Sequence, residues 1–155
     1  MGFTAVSLLA RTSRTRRSIG GNIVMSIVET IKSMKFSPWK PISEKEINKA
    51  ENELKVTFAM EYREYLFAFG QADVNGVELT GIIDSKRLNV VSATINEREL
   101  NPDNIPENFY LIANTGMDGI IIWQDSKGFI YKSKPLQKPV KIFNSLNDYL
   151  KGLNL

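Results

Sequence analysis

A chain of 155 residues, 43% of them hydrophobic, can bury one good core and is too short for two, so we expect one domain. It has neither cysteine nor histidine, which excludes disulfides, thiolate metal sites, cysteine nucleophiles and Ser-His or Cys-His catalytic pairs. Residues 1–25 hold four arginines and no acid, and the rest of the chain carries 16 basic and 17 acidic side chains, so the body is close to neutral.

Residues 1–25 are rich in Arg and Ser, and we interpret them as a disordered basic leader that precedes a folded domain at 26–155. The arginines follow the apolar run at 6–10, whereas a secretory signal places its positive charge before the apolar stretch. A transit-peptide-like leader, a basic arm for nucleic acid, and an upstream extension outside the functional product stay open. The extension is favoured because Met25 immediately precedes the first clear helix start.

Three helices are predicted in the first half of the body. Ser26 with Glu29 three residues on is a capping box, and it opens a short helix that Pro38 ends. We expect the aromatic residues of the following segment, 36–41, to pack against the body. A second capping box opens a helix at residue 43, and a third helix ends at Gly70, where a left-handed cap belongs. The second box is Ser43 with Glu46, and the apolar face of the third helix is Tyr62, Tyr65, Leu66 and Phe69.

The segment between these helices and the strands is less regular. Residues 77–84 follow an Asn-Gly turn and predict a strand. Val90, Val91 and Ile95 would suit a strand, but residues 92–100 favour a helix that Pro102 stops, and we predict a helix. Residues 101–108 contain two prolines and predict a loop.

The strongest local pattern is residues 109–131, which predict strands at 109–113, 120–124 and 129–132 joined by turns rich in Gly, Asn and Asp. The run at 120–123 is apolar without alternation, so this strand should be central and covered on both faces. A last strand at 139–143 precedes a C-terminal helix with a Ser145/Asp148 capping box. The predicted fold is α+β, with an antiparallel meander of about four to six strands flanked by N-terminal helices and a C-terminal helix.

The order of these elements resembles the SUKH superfamily, which includes the Smi and Knr type of fungal cell-wall regulator and many bacterial immunity proteins. The resemblance lies in residues 42–70, in the meander at 109–131 and in the closing helix at 145–153, and it covers 26–153 in order. The chain departs from the usual family pattern at Ala59, where a proline is common, and at 70–72, where an Asn-Gly-Gly is common. The resemblance implies a non-enzymatic cytoplasmic protein that binds and neutralises a toxin, commonly a nuclease.

Acids and glycines near the central strand could belong to catalytic or ligand sites, but they also have a plainer interpretation as turn residues. Asp118 and Asp125 flank the central strand and could form a carboxylate pair, but Asp is favoured in turns for its local backbone bonding. The sequence after Asp125 does not match a calcium loop, and Gly116 and Gly119 lie between strands rather than in a phosphate loop. We therefore expect no enzyme activity, no cofactor and no metal.

Nucleic-acid and membrane partners are not expected either. Only the leader offers clustered positive charge, and four arginines alone would give weak, salt-dependent contact with phosphates. The near-neutral body offers no basic stripe, and no apolar run approaches the roughly 18 residues that span a bilayer. We expect a cytoplasmic protein.

Protein binding is the predicted function, with a toxin encoded by a neighbouring gene as the partner. The candidate contact residues combine acids that could meet a basic nuclease surface with one aromatic anchor. They are Asp73, Glu78, Asp118, Trp123 and Asp125. The alternative for Trp123 is that it belongs to the core. The alternative function is an intracellular scaffold or regulator of cell-wall assembly with the same fold.

Overall fold

The computed structural model describes residues 16–19 and 22–153, and five helices and nine strands lie within them. The helices are α1 (Ile27–Lys32), α2 (Glu44–Leu54), α3 (Met60–Phe69), α4 (Val90–Leu100) and α5 (Leu146–Gly152). The strands are β1 (Arg16–Ile19), β2 (Asn22–Met25), β3 (Phe36–Pro38), β4 (Ala72–Val74), β5 (Val77–Glu78), β6 (Tyr110–Asn114), β7 (Ile121–Gln124), β8 (Ile130–Ser133) and β9 (Val140–Phe143). The predicted α+β class is confirmed.

The predicted serine caps set three helix starts. The hydroxyl oxygens of Ser26, Ser43 and Ser145 each accept a hydrogen bond from the backbone N–H three residues on. At Ser26 the box is complete, because the Glu29 carboxylate also accepts from the Ser26 N–H. Gly70 ends α3 with a φ of +70°, which glycine tolerates, but its ψ of −49° lies outside the left-handed helical conformation that the sequence predicted. The ambiguous segment is helical, and Asn89 caps it by accepting from the Val91 N–H.

The meander is a four-stranded antiparallel sheet in the order β9-β8-β7-β6. Its strands lie within one residue of the predicted positions. The register sets Trp123 on β7 opposite Tyr131 on β8 and Leu111 on β6. A bulge at Ile142 interrupts the pairing of β9 with β8.

Strand β7 is buried on both faces, as its unbroken apolar run predicted. Ile122 belongs to the main core, which the inner faces of α1, α2, α3 and α5 complete. Ile121 and Trp123 point the other way, into a second cluster with Phe109 and Leu111. That cluster is covered by partly buried residues, including Ala93 of α4. The meander therefore separates two apolar layers.

Glu61, which the sequence did not mark, links the meander to two helices. Its carboxylate oxygens on α3 accept from the Gln124 Nε2 at 2.8 Å, from the Leu146 N–H, and from the Asn147 N–H at 3.4 Å. Burial raises the pKa of the Glu61 carboxyl, although these hydrogen bonds oppose the shift. One carboxylate thus joins α3, β7 and the N-terminus of α5.

A second, three-stranded sheet has the order β3-β4-β5. The predicted strand at 77–84 is wrong beyond Glu78, because the following residues pair with three different segments. The Thr80 N–H donates to the Ile112 carbonyl of β6, and the Ile82 N–H donates to the Gly70 carbonyl. Gly81 pairs with Asn89 in an isolated bridge. The chain cannot stay in one sheet while it makes these bonds.

Most of the predicted leader lies outside the described residues, so its disorder there stays a prediction. Its described part differs from that prediction, because β1 and β2 pair as antiparallel strands with Arg16 opposite Met25. Gly20 and Gly21 stand between the two strands in the sequence, and paired glycines are a common hairpin signal. The Met25 carbonyl also accepts from the Asn147 Nδ2 at 2.6 Å, which ties β2 to α5.

Candidate partner-binding face

The five predicted contact residues do not form one site. Asp73 and Glu78 are directly opposed on β4 and β5. Asp118 lies in the β6–β7 turn, Trp123 lies in β7, and Asp125 follows β7. Asp118 and Asp125 therefore stand at opposite ends of one strand, and they do not form a carboxylate pair.

Trp123 is a core residue, and its prediction as a partner anchor is corrected. Its side chain is 0% exposed, and its Nε1–H donates to the Ser133 hydroxyl at 2.9 Å. The residue lies on the central strand as a member of the second apolar cluster, so a partner has no access to it. The alternative interpretation of Trp123 as core is the correct one.

Asp125 is likewise a structural residue rather than a contact residue, because it is only 5% exposed. Its Oδ1 accepts from the N–H groups of Lys127 and Phe129, which closes the β7–β8 turn. Its Oδ2 accepts from the Tyr131 hydroxyl at 2.9 Å. Burial together with this bond raises the pKa of Tyr131 to about 12. Asp118, by contrast, is exposed and holds its turn with a φ of +53°.

Asp73 and Glu78 lie on the outer face of the three-stranded sheet. Because side chains alternate along a strand, Ala72 and Val74 point into the core while Asp73 points outward. Ser37 on β3 is opposed to Asp73 from the other side. We call this outer surface the small-sheet face, and it consists of Ser37, Trp39, Asp73, Glu78 and Arg87.

Trp39 is the aromatic residue of the small-sheet face. Its N–H donates to the Gln71 carbonyl at 2.7 Å, so the β3–β4 pairing extends to this residue. Its side chain is 49% exposed, and the Lys40 ammonium lies 5.6 Å from its ring centroid. The prediction that the aromatic residues of 36–41 pack against the body is confirmed for Phe36, whose ring lies 5.6 Å from that of Phe69, and is wrong for Trp39.

Arg87 adds a cation that the sequence did not mark. Its guanidinium donates to both Glu78 carboxylate oxygens, at 2.5 and 3.1 Å. These bonds hold the pKa of Glu78 below its ordinary value. They also raise the pKa of Arg87, and the Asp73 charge adds to that rise. These three groups together carry a net charge of −1, and the Lys40 ammonium beside Trp39 offsets it. No helical or strand spacing relates residues 78 and 87, so only the folded loop brings them together.

The backbone behind the small-sheet face is fixed by two glycines. A Cβ atom at Gly81 would lie 2.0 Å from the Gly70 carbonyl oxygen, and one at Gly70 would lie 2.1 Å from the Lys40 carbonyl oxygen. Three chain segments therefore touch through their backbones at this point. Gln71 adds to this by donating from Nε2 to Asp73 and to the Leu79 carbonyl. The face is held in place before any partner arrives, which lowers the entropy cost of binding.

Comparison with known proteins supports the assignment of a family. Within residues 16–19 and 22–153, none of the helices is long and apolar enough to cross a membrane. No curated protein matches the chain significantly. A family model described as SUKH_5, SMI1-KNR4 cell-wall, matches residues 24–153. This range includes the four-stranded meander and the three-stranded sheet that carries the small-sheet face. The chain therefore belongs to the SUKH family of SMI1-KNR4 type.

Proposed function

We propose that this protein is an immunity protein that binds and neutralises a cognate toxin in the cytoplasm. It acts by stoichiometric binding rather than by catalysis, and the toxin is encoded by a neighbouring gene. The observation that carries the proposal is the small-sheet face, where an exposed tryptophan stands among charged side chains on a fixed backbone. Membership of the SUKH family supports it, because immunity proteins are common there.

The composition of the small-sheet face fits a binding hot spot. Trp and Arg are the residues that most often dominate binding energy at protein interfaces. Trp39 offers a large apolar surface, and Arg87 is already oriented by its two bonds to Glu78. Because the sheet is pre-formed, few side chains need to be ordered when a partner binds.

The two opposed acids of the face indicate the sign of the partner. Asp73 and Glu78 are directly paired across the sheet, with Arg87 bound to Glu78 and Lys40 beside Trp39, so a basic surface that meets the two acids is the electrostatic match that we propose. Nuclease toxins present such surfaces to bind phosphates. A basic nuclease domain is thus the partner class that we propose.

Co-expression with the neighbouring toxin gene tests the proposal. We expect the wild-type chain to restore growth and to co-purify with the toxin in equal stoichiometry. The variant Asp73→Lys should lose both properties, because it reverses a charge at the centre of the face. A chain that neither restores growth nor co-purifies would overturn the proposal.

The control for this experiment is Glu53→Lys. Glu53 is exposed on α2 and undergoes the same charge change outside the small-sheet face. Rescue should therefore survive in Glu53→Lys. Equal loss of rescue in both variants would show that net charge, rather than this face, decides binding.

A second candidate function is a scaffold or regulator of cell-wall assembly. The description of the matching family, which includes the words cell-wall, favours this alternative. The two functions differ in their genetic context and phenotype. An isolated gene whose deletion changes wall composition, with no toxin nearby, would support the second candidate.

A further inference from the structure

The hairpin made by β8, β9 and their connecting loop carries a positive charge that the total charge of the body conceals. Residues 126–147 contain five lysines and no acidic residue, while the rest of the body after residue 25 contains 11 basic and 17 acidic side chains. Two of these lysines, Lys134 and Lys138, lie exposed in the loop between β8 and β9. The lysines are Lys127, Lys132, Lys134, Lys138 and Lys141.

The same hairpin exposes large apolar side chains at its tip. Leu136 is 78% exposed in the loop, and Val140 is 63% exposed where β9 begins. Met117, 66% exposed, comes from the neighbouring β6–β7 turn. The two loops touch, because a Cβ atom at Gly119 would lie 2.6 Å from the Pro135 side chain. The fold thus brings three aliphatic side chains to one end of the sheet.

Leu136 is held in this exposed position by a specific contact. Its φ of +61° lies in the left-handed region, which is unfavourable for a bulky side chain. The Leu136 N–H donates to the Asn101 side-chain oxygen at 3.0 Å, so the loop is fixed against the end of α4. A leucine kept in this backbone conformation and left open to solvent points to a role in contact.

Protection of the sheet edge explains only part of this pattern. Natural sheets use lysines and bulges to keep an edge strand from pairing with another chain. Lys141 and the bulge at Ile142 on β9 fit that purpose. Lys134, Leu136 and Lys138 lie in the loop between the strands, where there is no edge to protect.

We propose that this hairpin docks on an anionic lipid surface. Leu136, Met117 and Val140 would enter the headgroup region, and Lys134 and Lys138 of the same loop would face the headgroup phosphates. Peripheral binding of this kind needs no spanning helix. The proposal concerns a different surface from the small-sheet face, and it does not depend on the immunity function.

The residue types favour lipid over the other polyanionic or apolar partners. Within 126–147 every cation is a lysine, and the tip is aliphatic, whereas protein hot spots favour Trp, Tyr and Arg. Single-stranded nucleic acid is bound by stacking on aromatic rings, and the exposed loop at 134–138 contains no aromatic residue. Lysine is the point charge that anionic headgroups attract.

Sedimentation with lipid vesicles tests the proposal. The full chain is mixed with vesicles of phosphatidylcholine alone or of phosphatidylcholine with phosphatidylserine, and the bound fraction is measured. Arg11, Arg14, Arg16 and Arg17 are changed to Gln in every protein, so that binding of these arginines to the vesicles does not obscure the contribution of the hairpin. We expect binding to the phosphatidylserine vesicles only.

The double variant Lys134→Glu/Lys138→Glu should weaken this binding by about 30-fold or more. The matched control is Lys45→Glu/Lys49→Glu, which makes the same charge change at exposed positions of α2 and should bind as before. Leu136→Asp should weaken binding by about tenfold or more, through the lost apolar contact and the added negative charge. Asp118→Asn should strengthen binding, because Asp118 is an exposed acid beside Met117.

Three results would overturn the proposal. The first is no binding to either vesicle, and the second is equal loss of binding in the hairpin and control variants. The third is loss of toxin binding, rather than vesicle binding, in Lys134→Glu/Lys138→Glu, which would make the hairpin a protein interface. Failure of the vesicle test leaves the Asp73→Lys result intact, so the two proposals fail independently.

Discussion

In both the three-stranded sheet and the four-stranded meander, side chains alternate between the two faces of each strand. The two sheets differ in which of their faces other elements cover. In the meander, Ile122 and Trp123 point to opposite faces of β7, and each enters an apolar cluster. In the small sheet, Val74 is buried while Asp73 on the same strand is only partly buried and points outward. Buried polar and aromatic residues of the meander therefore make their contacts within the folded chain, and those on the outer small-sheet face remain available for a partner.

The two tryptophans of the chain give the sharpest test of this difference. Trp123→Ala should lower the free energy of unfolding by about 3–5 kcal/mol, because it empties a fully buried site in the second cluster. Urea unfolding followed by circular dichroism measures the change. A loss below about 1 kcal/mol would mean that the second cluster contributes little to stability.

Trp39→Ala should have the opposite profile. We expect it to weaken binding of the cognate toxin by about 2 kcal/mol or more, roughly 30-fold, while the unfolding midpoint changes little. Calorimetric titration gives the affinity, and urea unfolding gives the stability. The matched control is Phe67→Ala, which removes an exposed aromatic ring from α3 and should leave affinity unchanged. Equal effects on affinity would remove Trp39 from the interface.

Asp125 and Asp118 allow a buried and an exposed acid of the meander to be compared. Asp125→Asn should cost about 1.5–3 kcal/mol of stability, because the two side-chain oxygens of Asp125 accept three hydrogen bonds in a buried turn. Asp118→Asn should change stability by less than about 0.5 kcal/mol, since Asp118 is exposed and Asn tolerates its positive φ. Thermal unfolding of the two variants side by side decides the comparison, and similar losses would contradict it.

The smallest expected effect is a pair of pH dependences with opposite signs. The pKa of Glu61 is raised in the folded state, so its contribution to stability is full below its ordinary value of 4.5 and is lost as pH rises through the folded pKa. The pKa of Glu78 is lowered, so its contribution is present above 4.5 and is lost as pH falls through the folded pKa. Exposure keeps the Glu78 contribution to a few tenths of a kcal/mol at about neutral pH.

Urea unfolding of Glu61→Gln and Glu78→Gln at a series of pH values measures both contributions. The stability of the wild type relative to Glu61→Gln should fall as pH rises above 4.5, and its stability relative to Glu78→Gln should rise. Curves of the same sign for the two variants would show that the folded environments of the two carboxylates do not differ as described.

Sequence patterns identified the capped helices and the meander correctly, because those signals are local. The serines at 26, 43 and 145 marked helix starts, because a cap needs only a hydroxyl and an N–H three residues away. The turns on either side of β7 followed from Gly and Asp residues that favour reversals. The unbroken apolar run on β7 correctly indicated a strand covered on both faces.

The candidate site could be predicted only in part, because exposure depends on what packs above a residue. Asp73 and Glu78 are accessible and neighbouring, as a contact site requires, but Trp123 and Asp125 lie under a layer that α4 and the turn supply. Trp39 was assigned to packing because aromatic residues usually pack, and nothing local shows that the small sheet leaves its outer face open.

The sequence by itself determined the fold class, the helix starts, the meander and the resemblance to the SUKH family, since each rests on residues close together in the chain. Only the tertiary structure decided which of two tryptophans faces solvent, how Arg87 joins Glu78, and how Gly70 and Gly81 bring three segments into contact. It also placed Met117 beside the lysine-rich loop. These arrangements join residues distant in the chain, and their free energy comes from packing that no local pattern encodes.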